Sequence, residues 1–238
     1  MLTPMFCITG QKIIPASHRS RYQKISQAIN TPLNGIIGCL ELLNVFGKSF
    51  TPEEIEDLTT GSLQAAKNLH RTMENLLLYN YLIDETNTQH ANYQTITPCN
   101  VIDLQDNFIG YADQLGRNKD LRIHLQNHNS LKVCKSHLFK VMNELLDNAC
   151  KNTLTGTPID IKGELKEQSY DITISDQGPG MSTEQIVSIG PFVKFNRSEE
   201  GLGLGLFVAS SLISRYGGLL QVKSENTKGL EALVSLPL

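Results

Sequence analysis

From His18 to about Val45, the apolar residues Tyr22, Ile25, Ile29, Leu33, Ile36, Ile37, Leu40 and Leu43 stand three or four positions apart, the period of one helix face. Gly47-Lys48-Ser49-Phe50 breaks the period, and Thr51-Pro52-Glu53-Glu54 restarts it as a helix N-terminus, with a threonine cap, proline in the first turn and Glu54 placed for a capping box. A second stripe follows through Ile55, Leu58, Ala65, Leu69, Met73, Leu76, Leu77 and Ile83. Two helices of about 30 residues joined so tightly must run antiparallel, and their stripes are too long for a single hairpin to bury well. The pattern therefore predicts an antiparallel hairpin that pairs with a second copy as a homodimeric four-helix bundle. The alternative is a hairpin covered by its own second domain. Pro32 interrupts the first stripe, where a missing N–H and a steric clash with the preceding turn predict a kink.

After Asp84 the pattern changes. A polar stretch from Asp84 to Thr95 reads as a linker, followed by a helix-like run from Val101 to Gly116 and a strand-like run from Leu121 to Leu125. An amphipathic helix from Lys135 to Lys151 comes next. Strand patterns run from Ile159 to Leu165 and from Tyr170 to Ile174, on either side of the polar turn at Lys166-Glu167-Gln168-Ser169. A helix from Leu204 to Tyr216, ended by Gly217-Gly218, precedes strands from Leu219 to Ser224 and from Glu231 to Leu236. The expected fold class is α+β: the helical hairpin, then an α/β sandwich with helices on one face of its sheet. The expected division is a lead segment over 1–16, the hairpin over 17–86, a linker over 87–97 and the sandwich over 98–238.

At 238 residues the chain is long enough for two domains, and its net charge of −3 offers no bulk attraction for nucleic acid, so no nucleic-acid partner is expected. Cys7, Cys39, Cys99, Cys134 and Cys150 form no C-x-x-C pair and no secretory leader is evident, which predicts reduced thiols and a cytoplasmic location. The run from Met1 to Ile14 is interrupted by polar residues and falls short of the roughly 20 apolar residues of a membrane span. This segment is expected to make no membrane contact; were it the cytoplasmic part of a membrane sensor, the spans would lie elsewhere.

Three segments carry candidate chemistry. On the helix from Lys135 to Lys151, Glu144, Asn148 and Lys151 share a face by their four- and three-residue spacing. A carboxylate, an amide oxygen and an ammonium there can position water, hold magnesium and meet phosphate; the same pattern also describes a solvated helix face. Asp176-Gln-Gly178-Pro-Gly180 follows a strand, so a carboxylate can accept a hydrogen bond from a flat ligand that the backbone approaches closely, although a plain turn looks similar. Gly201-Leu-Gly203-Leu-Gly205 runs into a helix, where backbone amides can point at phosphate; its spacing is not that of a dinucleotide site, and a flexible linker is the alternative.

Taken in that order, the segments resemble sensor histidine kinases from Ser17 to Leu238, with an ATP-binding domain of the histidine kinase, gyrase and Hsp90 type. The resemblance implies ATP and magnesium as cofactors. It makes Asn148 the magnesium-binding asparagine of the N box, Lys151 its phosphate-contacting lysine and Asp176 the reader of the adenine amino group. Gly178 and Gly180 become the first glycine box, and Gly201, Gly203 and Gly205 the second. Phe192 and Phe195 resemble the F box, with Lys194 where a basic residue meets phosphate. The short stretch before Gly201 implies a small ATP lid. The sequence closes on Ser235-Leu-Pro-Leu238, where the resembling domain's last strand stops, so no receiver or phosphotransfer module is expected in this chain.

The hairpin resembles the family's dimerisation domain through Ser26-Gln-Ala-Ile-Asn-Thr-Pro-Leu-Asn34. Five residues before Pro32, where the family's phosphoacceptor histidine stands, this chain has Gln27, and the following acidic position holds Ala28. An amide is a negligible nucleophile and alanine cannot accept a proton, so autophosphorylation by the usual route is expected to be lost. His18 lies more than two turns upstream and His70 falls in the second helix, which makes neither a natural substitute. The resulting expectation is a dimeric regulatory pseudokinase that partners a response-regulator receiver domain or another histidine kinase. Three alternatives stand beside it. Thr31 matches the threonine that aligns water for hydrolysis of a receiver's aspartyl phosphate, Glu144 matches a water-activating glutamate of related ATPases, and an unusual acceptor would preserve kinase activity.

Overall fold

The computed structural model describes residues 6–7, 18–84, 99–127, 130–195, 201–224 and 229–238, and of Phe6, Cys7, His18 and Arg19 only the backbone. The expected linker lies almost wholly outside the described residues, as does most of the lead segment. The chain forms two compact units, one of Ile13–Ile83 with Pro191–Leu204, the other of Met1–Lys12, Asp84–Gly190 and Gly205–Leu238.

The first unit is the helical hairpin, α1 (His18–Phe46) and α2 (Pro52–Ile83). α1 continues as one helix through Pro32, so the proline does not break it. It stops at Gly47, whose N–H donates to the Leu43 carbonyl at 3.0 Å and whose bare Cα leaves room for that oxygen. α2 starts with the expected reciprocal cap: the Thr51 N–H donates to Glu54 Oε2 at 2.8 Å and the Glu54 N–H to Thr51 Oγ1 at 3.2 Å. Three residues of α2 are buried, Thr72, Asn75 and Tyr79, one above another at helical spacing. The segment from Pro191 covers part of this stripe, with the Phe192 ring edge-on to Tyr79 at 5.0 Å.

The second unit contains a six-stranded mixed sheet in the order β1-β5-β6-β4-β3-β2, made of β1 (Phe6–Cys7), β2 (Leu121–Leu125), β3 (Ile159–Leu165), β4 (Ser169–Ser175), β5 (Leu219–Ser224) and β6 (Leu230–Pro237). Only β2 and β3 run parallel. The register aligns the alternating apolar residues into rows, Ile161 to Ile174 to Ala232 to Val222, and Ile172 to Val234 to Leu220. These rows are buried. A one-residue slip would turn them outward, so burial holds the register. The buried sides of α3 (Val101–Gln114), α4 (Lys135–Lys151) and α6 (Gly205–Ser214) supply the rest of the core, including Leu104, Phe108, Leu138, Met142, Val208 and Leu212. Each such side chain contributes about 1.5–3 kcal/mol on leaving water.

Two elements were not among those expected from the sequence. β1 is only two residues long and pairs antiparallel with β5, while α5 (Thr183–Val187) is one short turn closed by a Ser182–Gln185 capping box. The expected sandwich over 98–238 is also not one continuous packing unit, because Pro191–Leu204 groups with the hairpin. Among the described residues, no helix is long and apolar enough to cross a membrane.

Candidate functional site

In the sheet unit, Asp176 follows the end of β4 and is almost fully buried. Its Oδ1 accepts the Gly178 N–H at 2.8 Å and the Leu230 N–H at 3.3 Å, while its own N–H donates to the Leu230 carbonyl at 2.9 Å. Backbone from the Asp176 loop and from the start of β6 thus locks one carboxylate oxygen and leaves Oδ2 for another donor. Burial raises the carboxyl above its ordinary 3.8, and the two backbone N–H donors oppose that shift.

Gly178 has to be glycine. A Cβ there would lie 2.5 Å from the Asn152 carbonyl oxygen and 2.9 Å from Asp176 Oδ1. This close approach ties the Asp176 loop to the residue just past α4, and so to the helix that carries Asn148. Gly180 takes φ +70°, the left-handed backbone that glycine adopts without strain.

On α4, Glu144, Asn148 and Lys151 do not make one uniform solvated face. Glu144 is buried and pairs with Lys140 at 2.9 Å, Asn148 is half-buried, and exposed Lys151 pairs with buried Asp147 at 2.8 Å. A Cβ on Gly205 would lie 2.3 Å from Glu144 Oε2, so the glycine opening α6 is the space that Glu144 occupies. The structure therefore brings Asn148, Lys151, Asp176 and Gly178 to neighbouring backbone, and joins Gly205 to Glu144.

Phe192, Lys194, Gly201 and Gly203 belong to the hairpin unit. Phe192 is buried at φ +64°, a left-handed conformation that is strained for an aromatic residue. Its surroundings hold it there: Arg21 lies 5.1 Å over the ring, Tyr79 meets it edge-on, and Lys24 Nζ donates to its carbonyl at 3.0 Å. Gly203, at φ +68°, leaves no room for a Cβ beside the Val193 carbonyl, Gly201 faces Thr72 and Arg71, and Lys194 is exposed. On α1, Gln27 and Thr31 are both exposed one turn apart, Ala28 is half-buried, and on α2 His70 is exposed. The side chain of His18 falls outside the described residues.

Sequence reasoning missed Leu230, Gly229 and Asn152. Leu230 holds Asp176, and a Cβ on Gly229 would lie 1.9 Å from the Asp176 carbonyl oxygen. Only a long-range strand pairing reveals these contacts. A shallow depression lined by His124, Gln126, Lys162 and Glu164 lies toward the other end of β3 from Asp160, the partner of Ser175, and holds none of the candidate residues.

Comparison with known proteins gives this arrangement a context. Residues 134–238 match the family described as histidine kinase-, DNA gyrase B-, and HSP90-like ATPase. The chain is 27% identical over 227 residues to sensor protein SrrB of Staphylococcus aureus strain N315, a match spanning 90% of this chain and 37% of that protein. It thus spans little more than a third of the curated relatives it matches. Among solved structures, it is similar to the Acinetobacter baumannii histidine kinase AdeS, at TM-score 0.62 and 21% identity over 89% of this chain and 97% of that one. It is also similar to full-length ShkA in complex with AMPPNP, at TM-score 0.57 and 20% identity over 93% of this chain and 46% of that one. These likenesses extend across the helical hairpin as well as the sheet domain.

Proposed function

We propose that this chain, whose residues 134–238 match the histidine kinase-, DNA gyrase B-, and HSP90-like ATPase family, is a sensor-histidine-kinase core that acts as a dimeric, ATP-binding regulatory pseudokinase. The observation that carries the proposal is the pairing of an organised Asp176 loop with a glutamine at the phosphoacceptor position. Asp176 presents one free carboxylate oxygen beside backbone that approaches closely, which suits the exocyclic amino group of adenine. Gln27, exposed on α1, offers no nucleophile, and Ala28 offers no base.

Magnesium fits the residues present. It keeps most of its water and phosphate ligands and needs only one or two protein oxygens, so the half-buried Asn148 carboxamide on α4 suffices to help hold it. When bound, the ion neutralises phosphate charge. Lys151 is near enough in sequence to contribute a second positive charge, exchanging its contact with Asp147 for phosphate. The similar ShkA structure is a complex with AMPPNP, which supports a nucleotide as ligand here. The exposed apolar residues of the hairpin support pairing with a second copy, and the receiver domain of a response regulator or another histidine kinase is the proposed downstream partner.

A second reading is supported by Thr31, exposed one turn after Gln27, where its hydroxyl can align water against a receiver's aspartyl phosphate. ATP hydrolysis through Glu144 has weaker support, because that carboxylate is engaged by Lys140 and packed against Gly205.

The test is incubation with γ-labelled ATP and magnesium, following label on protein and free phosphate, with Asn148→Ala as the nucleotide-site control. Bound nucleotide without protein label is expected, and the double variant Gln27→His with Ala28→Glu should acquire acid-labile, alkali-stable label. The same label on the unaltered chain would overturn the pseudokinase reading.

A further inference from the structure

We propose that Arg117 is a positioning residue for the magnesium and phosphate end of α4, an inference that rests on the nucleotide reading above. Arg117 immediately precedes the short 3-10 turn Asn118–Asp120, and only 6% of its surface is exposed. Its five N–H groups all have acceptors. Nε donates to the Asp120 carboxylate, Nη1 to the carbonyls of Cys150 at 2.7 Å and Thr153 at 3.1 Å, and Nη2 to Thr153 Oγ1 and the Leu154 carbonyl, both at 3.0 Å. Asp120 in turn accepts the Gly156 N–H on both oxygens, at 3.2 and 3.1 Å.

One guanidinium therefore gathers carbonyls from the last turn of α4 and from its exit loop, where the negative end of the helix dipole also favours a cation. The planar fork is essential to this role, since an ammonium has three donors and cannot span the same acceptors. Cys150 is two residues past Asn148 and next to Lys151, so the clamp grips the turn that presents both. The adenine side has its own anchorage. Asp176 is held by Leu230 and Gly178, through the ladder of β4 and β6, without Arg117. Loss of the clamp should loosen the phosphate half of the site while the adenine half keeps its geometry.

The experiment compares adenosine with magnesium-ATP binding by calorimetry, with a magnesium titration at fixed ATP, for the full chain and for Arg117→Met, Arg117→Lys and Asp120→Asn. Arg117→Met should weaken magnesium-ATP binding by about 10- to 100-fold and raise the magnesium needed for half-saturation, with adenosine affinity within about twofold of the unaltered chain. Arg117→Lys should fall between the two. If Arg117→Met does not fold, Asp120→Asn, which retains the guanidinium and its carbonyl contacts, should show the same split at smaller size. Equal losses for adenosine and magnesium-ATP, or no loss for either, would overturn the positioning role alone. Failure of the unaltered chain to bind either ligand would overturn the nucleotide reading and this inference with it.

Discussion

The sheet unit and the hairpin unit solve the burial problem differently. The sheet unit turns its apolar rows onto its own helices, and residues such as Ile161, Ile172, Leu146 and Val208 are wholly buried within one chain. The hairpin leaves Leu77 65% exposed, Leu40 55% and Val45 67%, while the residues that α2 does bury are Thr72, Asn75 and Tyr79. A long apolar stripe left in water marks an interaction surface. The sheet unit thus buries its own apolar rows, whereas the hairpin leaves an apolar stripe that, on the proposed reading, a second helix pair covers. The candidate residues divide along the same line: the sheet unit holds the buried Asp176 carboxylate, and the hairpin presents exposed Gln27, which the proposed reading puts in the place of a phosphoacceptor.

The largest test of this contrast is Leu77→Asp. Each copy loses about 1.5–3 kcal/mol of apolar burial and acquires a charge at the contact, so the proposed dimer should weaken by more than about 100-fold. Sedimentation should show a monomer whose adenosine affinity is unchanged. A stable dimer in that variant would place the interface elsewhere.

Asp176→Asn probes the other unit. The amide oxygen can still accept from Gly178 and Leu230, but the second atom becomes a donor facing the adenine amino group. Adenosine affinity should fall by about 10- to 100-fold, the worth of a charge-assisted hydrogen bond, while the oligomeric state stays as it was. Binding calorimetry reads the first and sedimentation the second.

The smallest effect is on pH. Burial raises Asp176 above 3.8, so its protonation begins at a higher pH than that of an ordinary carboxyl, and adenosine affinity should decline by up to about tenfold per pH unit below its folded value. The stability effect has the opposite sign, since the cost of burying this charge is relieved as pH falls through the raised value. Asp120 behaves in reverse. The Arg117 hydrogen bond lowers its carboxyl below 3.8, so its contribution is fully present above 3.8 and is lost only as pH falls through the lowered folded value. Adenosine binding should therefore fail at higher pH than the Asp120 clamp, which a binding titration beside thermal melts will check. Melting that precedes the loss of binding would reverse the ordering.

Much of this organisation was legible in the residue pattern. Periodicity located both long helices, the Thr51 and Glu54 cap, and five of the six strands, because these depend on neighbours a few positions away. The resemblance pointed to Asp176, Asn148 and the glycines. It could not say that Gly205 makes room for Glu144, or that Lys140 and Asp147 engage the charges of α4. β1 was invisible because two residues carry no period, and its pairing with β5 joins positions more than 200 apart in the chain.

By itself, then, the sequence determined which segments are helix or strand, the two-part α+β plan and the absence of an imidazole at position 27, since each follows from local backbone preference or side-chain chemistry. Tertiary structure alone decided that Leu230 locks Asp176, that Arg117 closes the end of α4, and that Pro191–Leu204 packs with the hairpin through Phe192 and Tyr79. Those contacts depend on where the fold brings distant backbone carbonyls and rings together, and no local period encodes that meeting.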